Sequence, residues 1–253
     1  MSYLQIRGHR LECAWFGPRQ TSRPTLVLLH EGLGSIGMWG DFPNALSEAT
    51  GLTVFAYSRH GYGGSDPLTE GFGVNYMHQE ALTILPAVLD EVGIDQPILF
   101  GHSDGASIAL IYAGGNSDPR PLKLVLEAPH VFVEDISISG IEAARKGYQD
   151  GRLRAALERY HGANTDRVFW AWNRIWLDPA FRSWNIEPCL SSIGVPIQII
   201  QGRDDEYGTL AQVEAIAGRC VGPIETVLLE ECGHSPHRAQ RDNVIENVAR
   251  FVC

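Results

Sequence analysis

Apolar residues along the chain fall into two patterns: short, nearly continuous runs and longer stretches of helical period. The runs Leu26–Leu29, Thr53–Tyr57, Ile98–Phe100, Leu122–Leu126, Ile197–Ile200 and Glu225–Leu229 have the length of strands. Their Val, Ile and Leu content suits a parallel sheet covered on both faces. Between them lie helical stretches. In Tyr76–Val92 the apolar positions Ala81, Leu82, Leu85, Val88, Leu89 and Val92 recur at helical spacing, as do Val244, Ile245, Val248, Phe251 and Val252 in Asn243–Val252. An opening pair, Tyr3–Arg7 and Leu11–Phe16, meets at Gly8-His9 and predicts a hairpin. This alternation predicts an α/β fold, a mostly parallel eight-stranded sheet with helices on both faces.

One interval breaks the rhythm. Between Ala128 and Pro196 the strand signal stops for about 65 residues, too long for a structureless loop in a compact domain. Helices are expected around Ile138–Tyr148, Leu153–Tyr160 and Arg167–Leu177, with a short turn near Phe181–Trp184. The expected organisation is therefore a core of residues 1–130 and 193–253 carrying a helical cap, or lid, over 131–192. Four of the six tryptophans (Trp170, Trp172, Trp176 and Trp184) fall in that insertion, so it has apolar surface to bury.

The 253 residues are 44% apolar and 20% charged, enough for one domain with a substantial core. The net charge of −10 is spread rather than blocked, which disfavours nucleic acid and anionic membranes as partners. The apolar runs, Thr25–Leu29 and Pro196–Ile200 among them, fall far short of a membrane span. The opening MSYLQIRGHRLE lacks the basic and apolar regions of a signal peptide. Five cysteines (Cys13, Cys189, Cys220, Cys232 and Cys253) are widely spaced, with neither a CxxC pair nor a disulfide framework. Reduced thiols and a cytoplasmic location are the expectation. No coiled-coil seam or repeat marks an oligomer interface, so the oligomeric state is left open.

The strongest chemical signal is Gly101-His102-Ser103-Asp104-Gly105, a G-x-S-x-G between the apolar strand Ile98–Phe100 and the small-residue helix Ala106–Gly114. That context is what a nucleophile elbow requires: a sharp strand-to-helix turn that lifts the serine clear of the sheet. A serine hydroxyl needs an oriented base. Cys232-Gly233-His234-Ser235-Pro236, after the last strand, supplies His234, with His237 as its nearest rival. The acid should follow the penultimate strand, where Gly202-Arg203-Asp204-Asp205-Glu206 offers three carboxylates in a row, and the G-x-x-D spacing common in enzymes that carry such an elbow, which this segment resembles, selects Asp205. Asp204 is the runner-up and Glu127 a more distant alternative. The oxyanion of acyl transfer needs two backbone N–H donors. They are expected from Asp104, after the nucleophile, and from Gly32 in the turn His30-Glu31-Gly32-Leu33-Gly34-Ser35.

In order and interval, five segments resemble the α/β-hydrolase superfamily over nearly the whole chain. They are His30–Ser35, Ser58-Arg59-His60-Gly61-Tyr62-Gly63-Gly64-Ser65, Gly101–Gly105, Gly202–Asp205 and Gly233-His234. Within it the chain is similar to small capped esterases and to the meta-cleavage-product and biphenyl-hydrolase-like branch. Serine at position 103 separates it from haloalkane dehalogenases and epoxide hydrolases, which use aspartate there. Two departures stand out: His30-Glu31 replaces the usual His-Gly, and the residue after the nucleophile is Asp104. The carboxylate of Asp104 is either bonded locally to backbone or faces the pocket and binds a cationic or hydroxylated substrate group. Amino-acid ester hydrolases of the biphenyl-hydrolase-like group carry a similar Ser-Asp-Gly.

A pocket near the serine is expected to draw on Glu31, His130, Phe169, Trp172 and Trp176, with His102 and Glu134 around the same cleft. The expected activity is hydrolysis of a small carboxylic ester through an acyl-enzyme, without metal or cofactor. Three alternatives stay open: carbon–carbon bond hydrolysis of a dienoic diketo acid, with Arg59, Arg145 or Arg174 on the substrate carboxylates; thioester hydrolysis; and ligand reception without turnover on the same scaffold.

Overall fold

In a computed structural model of the chain, residues 2–20, 22–115 and 120–253 are described; the remaining positions of the expected core segment 1–130 lie outside the described residues. The hairpin pairs β1 (Ser2–Ile6) with β2 (His9–Phe16). Its turn is Arg7-Gly8, one residue earlier than the sequence suggests, and both have positive φ. Then follow β3 (Thr25–Leu29), β4 (Thr53–Tyr57), β5 (Pro97–His102), β6 (Lys123–Glu127), β7 (Ile197–Gly202) and β8 (Ile224–Leu229). They form one eight-stranded sheet in the order β1-β2-β4-β3-β5-β6-β7-β8. The two pairings that involve β2 are antiparallel and the other five are parallel.

Alternation within a strand decides what each face covers. Leu26 and Leu28 of β3 and Ile98 and Phe100 of β5 point to one side. There they pack on Phe42 and Leu46 of α1 (Phe42–Thr50) and on Val244 and Val248 of the C-terminal helix, Arg241–Val252. Val27, Leu29 and Leu99 point to the other side. They meet the segment Tyr76–Val92, which contains α2 (Tyr76–Gln79) and α3 (Leu85–Val92), and α4 (Asp104–Gly115). Tyr76–Val92 is helical as the periodicity predicts, but its middle turn, Glu80–Ile84, is a π-helical widening that no apolar spacing announces.

Between β6 and β7 the chain is helical: α5 (Asp135–Gln149), α6 (Arg152–His161), α7 (Thr165–Trp176) and a short α8 (Glu187–Leu190), with a 3₁₀ turn at Pro179–Ser183. These helices bury Phe169, Trp172, Trp176 and Phe181 in an apolar cluster continuous with one face of the sheet. Among the described residues no helix is long and apolar enough to cross a membrane.

Candidate active site

Ser103 stands in the turn from β5 into α4 with φ of +54°, a left-handed conformation that costs a non-glycine residue energy. The turn is held by packing on both sides. A Cβ added at Gly101 would collide with the backbone of Gly105, and one at Gly105 with the carbonyls of Leu29 and His30. The strand and helix approach so closely that only hydrogen fits at both positions, and the serine is pushed out at the carboxyl end of the sheet.

Three chain-distant residues converge there. His234 Nε2 lies 2.9 Å from Ser103 Oγ, and His234 Nδ1 lies 2.9 Å from both carboxylate oxygens of Asp205. Asp205 is buried and also accepts from the Tyr207 N–H (2.8 Å), the Gly208 N–H (3.2 Å) and Gln201 Nε2 (2.7 Å). Burial would raise this carboxyl, but the hydrogen bond and charge of His234 and the Tyr207 N–H hold it down at about 2. Asp204 is exposed, and its backbone N–H bonds to the Cys232 carbonyl. Glu127 faces His237 instead: its Oε2 is 2.7 Å from His237 Nδ1, and its Oε1 accepts the His237 N–H. The rivals His237 and Glu127 thus satisfy each other beneath the candidate triad.

The turn after β3 is pinned through its carbonyls. Glu31 O accepts from Arg59 Nη2 (2.9 Å) and His30 Nδ1 (2.8 Å), Gly32 O accepts from the Tyr62 hydroxyl (2.9 Å), and His161 Nε2 reaches Leu33 O (2.9 Å). His30 Nε2 accepts the Arg59 N–H, so its proton sits on Nδ1, and burial keeps the ring neutral. In a trans peptide the N–H points opposite to the C=O. With Glu31 O held toward Arg59, the Gly32 N–H is directed to the other side of the turn. The Asp104 N–H opens α4 and has no intrahelical acceptor. A Cβ at Gly32 would strike the Trp172 indole, so the glycine lets the turn come up against α7.

A cleft of about 210 Å³ lies above these groups. Glu31, Gly32, His102, Ser103, Asp104, His130, Trp172, Trp176 and His234 line it, as do Ser137, Ile141, Glu206 and Tyr207, which nothing in the sequence marks. Phe169 does not reach it; fully buried, it stacks on Tyr148 with ring centroids 3.6 Å apart. Glu134 also turns away, binding the Thr209 N–H and hydroxyl and Gln212. His130 sits 5.5 Å from the His234 ring and is pushed down to about 3, by burial and by repulsion from His234. It is neutral under ordinary conditions. A larger cleft of about 510 Å³, lined by Arg59, Tyr62, Phe72, Tyr76 and Glu80, holds none of the Ser103–His234–Asp205 trio.

Asp104 lies between the two. It is 1% exposed; its Oδ2 accepts from the Tyr76 hydroxyl at 2.7 Å and stands 3.9 Å from Arg59 Nη2, while its Oδ1 has no partner. Trp176 Nε1 in turn donates to the Tyr76 oxygen at 3.1 Å. Burial raises the Asp104 carboxyl above its ordinary value, against the pull of Arg59 and Tyr76. His102, Glu127 and His237 bring donor atoms within 4.8 Å of one another; Glu127 is bonded to His237 and His102 Nε2 to the His234 carbonyl, while His102 Nδ1 has no hydrogen-bond partner and lies 3.5 Å from Glu31 Oε2.

The family model described as the alpha/beta hydrolase family matches residues 26–247. The proline iminopeptidase of Lactobacillus delbrueckii subsp. lactis is 32% identical over 110 residues, 44% of this chain; the chain covers 37% of that enzyme's length. Among solved structures, an esterase from Exiguobacterium antarcticum superposes with a TM-score of 0.79 at 20% identity, over 99% of this chain and 98% of that one. The enol-lactonase from Burkholderia xenovorans LB400 gives 0.74 at 20% identity over 99% of each chain. At such identities the likeness is one of fold.

Proposed function

The chain belongs to the alpha/beta hydrolase family, and we propose that it hydrolyses a small carboxylic ester through an acyl-enzyme on Ser103. The observation that carries this reading is the continuous hydrogen-bond chain from Ser103 Oγ through His234 to Asp205 at the floor of the cleft. Ser103 Oγ attacks the ester carbonyl while His234 Nε2 takes its proton, and Asp205 holds the imidazolium that forms. The N–H groups of Gly32 and Asp104 donate hydrogen bonds to the oxyanion. Collapse of this intermediate expels the alcohol, which leaves with the proton from His234. Water, deprotonated by the same ring, then attacks the acyl carbon and releases the acid and free Ser103. Residues 131–192 serve as the cap: Trp172 and Trp176 of α7 roof the serine and keep bulk water from the acyl-enzyme.

The charges of the cleft bear on the substrate. Glu31, Asp104 and Glu206 line it, and no Arg or Lys does so among the described residues. Arg59 lies behind Asp104, and Arg174 stands over the Trp170 ring on an outer groove. With Glu31 set against the neighbouring His102, Asp104 and Glu206 favour neutral or cationic esters over a dienoic diketo acid, whose carboxylates would meet like charge. The unpartnered, buried Asp104 Oδ1 favours a substrate with an ammonium or hydroxyl group near its acyl carbon.

Steady-state hydrolysis of p-nitrophenyl esters from acetate to octanoate, by wild type and Ser103→Ala, tests the reading. Sustained turnover that vanishes in the variant and peaks at short chains is expected, since a cleft of about 210 Å³ takes only a small acyl group. Equal inactivity of both proteins overturns it. A single slow cycle without turnover would indicate a receptor.

A further inference from the structure

In His30-Glu31-Gly32 a carboxylate stands one residue from Gly32, the proposed oxyanion donor. Glu31 is not loosely placed: its side chain is only 17% exposed, and a Cβ at Gly34 would collide with it. An uncompensated anion there would oppose the charge that develops on the substrate oxygen. Its compensation comes from the residue before the nucleophile. His102 is 1% exposed, and its Nδ1 lies 3.5 Å from Glu31 Oε2, an ion-pair distance rather than a well-formed hydrogen bond. On the other edge of the ring, Nε2 lies 2.7 Å from the His234 carbonyl oxygen.

These two contacts decide the protonation. A carbonyl only accepts, so Nε2 carries a hydrogen. A bare Nδ1 would then turn its lone pair on a carboxylate, whereas a protonated Nδ1 makes an ion pair. The surroundings point the same way. Glu31 faces the ring from the turn after β3, and Glu127 from the end of β6. From the C-terminal side His234 and His237 face it, with ring centroids 5.2 and 5.0 Å away; Arg238 approaches Glu31 Oε1 at 3.7 Å from a half-exposed position. Burial lowers the affinity of His102 for its proton, yet the two carboxylates and the His234 carbonyl outweigh it and raise the ring to about 9.

Building on the serine-hydrolase reading above, we propose that His102 is a positioning residue, an imidazolium that neutralises Glu31 beside the oxyanion turn and ties the His234 backbone to it across Ser103. The same ring thus joins the three segments that must act together: the oxyanion turn, the nucleophile elbow and the loop of the base.

The test is a double-mutant cycle in kcat and KM for p-nitrophenyl acetate, from about pH 6 to about pH 10, with wild type, Glu31→Gln, His102→Gln and the double variant. Gln at 102 retains a donor for the His234 carbonyl but no charge. Wild-type kcat is expected to fall on the alkaline side near the value of about 9 set by His102. In Glu31→Gln that limb moves to lower pH, because the nearest anion is gone. In His102→Gln the limb disappears, with kcat about 10–100-fold lower and KM changed less than about threefold. The double variant should recover at least about threefold over His102→Gln, since no carboxylate is left uncompensated. Multiplicative single effects, or an alkaline limb unchanged in His102→Gln, overturn the proposal. Should His102→Gln fail to fold, ¹⁵N chemical shifts of wild-type imidazoles decide: a His102 ring protonated on both nitrogens at about pH 7.5 supports the pair, and a neutral ring refutes it. This spectrum does not depend on turnover, so the pair is tested even if Ser103→Ala shows that Ser103 is not the nucleophile.

Discussion

The imidazole Nε2 of His102 donates to the carbonyl oxygen of His234 at 2.7 Å, so the residue before the candidate nucleophile holds the backbone of the candidate base. His102 is the last residue of β5, whereas His234 lies on the loop after β8. Their link means that the serine and the histidine are positioned together and not as two independent loops. The loop of His234 is also held at its N–H by Glu206 (3.1 Å) and further on by Glu127 through His237. Such support suits a site whose hydrogen bonds must be in place before the substrate arrives.

The neighbouring carboxylates Asp204 and Asp205, which follow β7, should separate cleanly. Asp205→Asn is expected to lower kcat about 10⁴-fold, because His234 loses the partner that fixes its tautomer and stabilises its charge. Asp204→Asn, at an exposed position, should remain near wild type. Comparable losses in the two variants would remove Asp205 from its proposed place. Steady-state kinetics on a single p-nitrophenyl ester is sufficient.

Glu127 should matter for stability more than for chemistry. It is fully buried and bonded to both the ring and the N–H of His237. Glu127→Gln leaves a buried partner poorly satisfied, which should cost about 3 kcal/mol in urea unfolding. Activity per folded molecule should fall much less than in Asp205→Asn.

Asp104 governs specificity in the proposed scheme. For Asp104→Asn, kcat/KM on an ester with an ammonium group near the acyl carbon should fall about 10-fold or more, while a neutral ester of the same size changes less than about threefold. Equal effects on the two substrates would mean that the carboxylate serves only the Tyr76 and Arg59 contacts.

Stability should depend on pH through His102. Its ring rises from 6.5 to about 9 in the fold, where burial is outweighed by Glu31, Glu127 and the His234 carbonyl. The folded state therefore binds this proton more tightly than the unfolded chain does. The stabilisation is complete below 6.5 and is lost as the pH climbs through about 9. Relative to His102→Gln, the wild type should lose on the order of 3 kcal/mol across that window in urea unfolding. A pH-independent difference would show the ring to be neutral.

Packing at the elbow predicts a further outcome. Gly105→Ala places a methyl against the backbone carbonyls of Leu29 and His30, which cannot rotate away as a side chain could. A loss of about 2–3 kcal/mol is expected in thermal or urea unfolding.

Much of this was legible in the sequence, because strand patterning and turn chemistry are local. The runs around Leu26–Leu29 and Ile98–Phe100 announce strands covered on both sides, and each carries its two faces in alternate residues. Gly101 and Gly105 mark the elbow because a Cβ at either would strike backbone within the same turn or on the adjacent strand. The choice of Asp205 over Asp204 rests on the G-x-x-D spacing of the superfamily the chain resembles, since both residues lie beyond the end of β7, where strand alternation does not separate neighbours. What tertiary structure alone decided is which side chains meet across long separations. Trp172 and Trp176 reach the cleft while Phe169 stacks on Tyr148, although all three share one helical stripe; the packing of α5 and α6 takes up one part of that stripe and leaves the rest to the cleft. The bond of Tyr76 to Asp104 and the place of His102 between Glu31 and the His234 carbonyl depend on loops brought together by strand order. Burial then sets their charges, because the cost of a buried ion depends on which partners surround it in the folded chain.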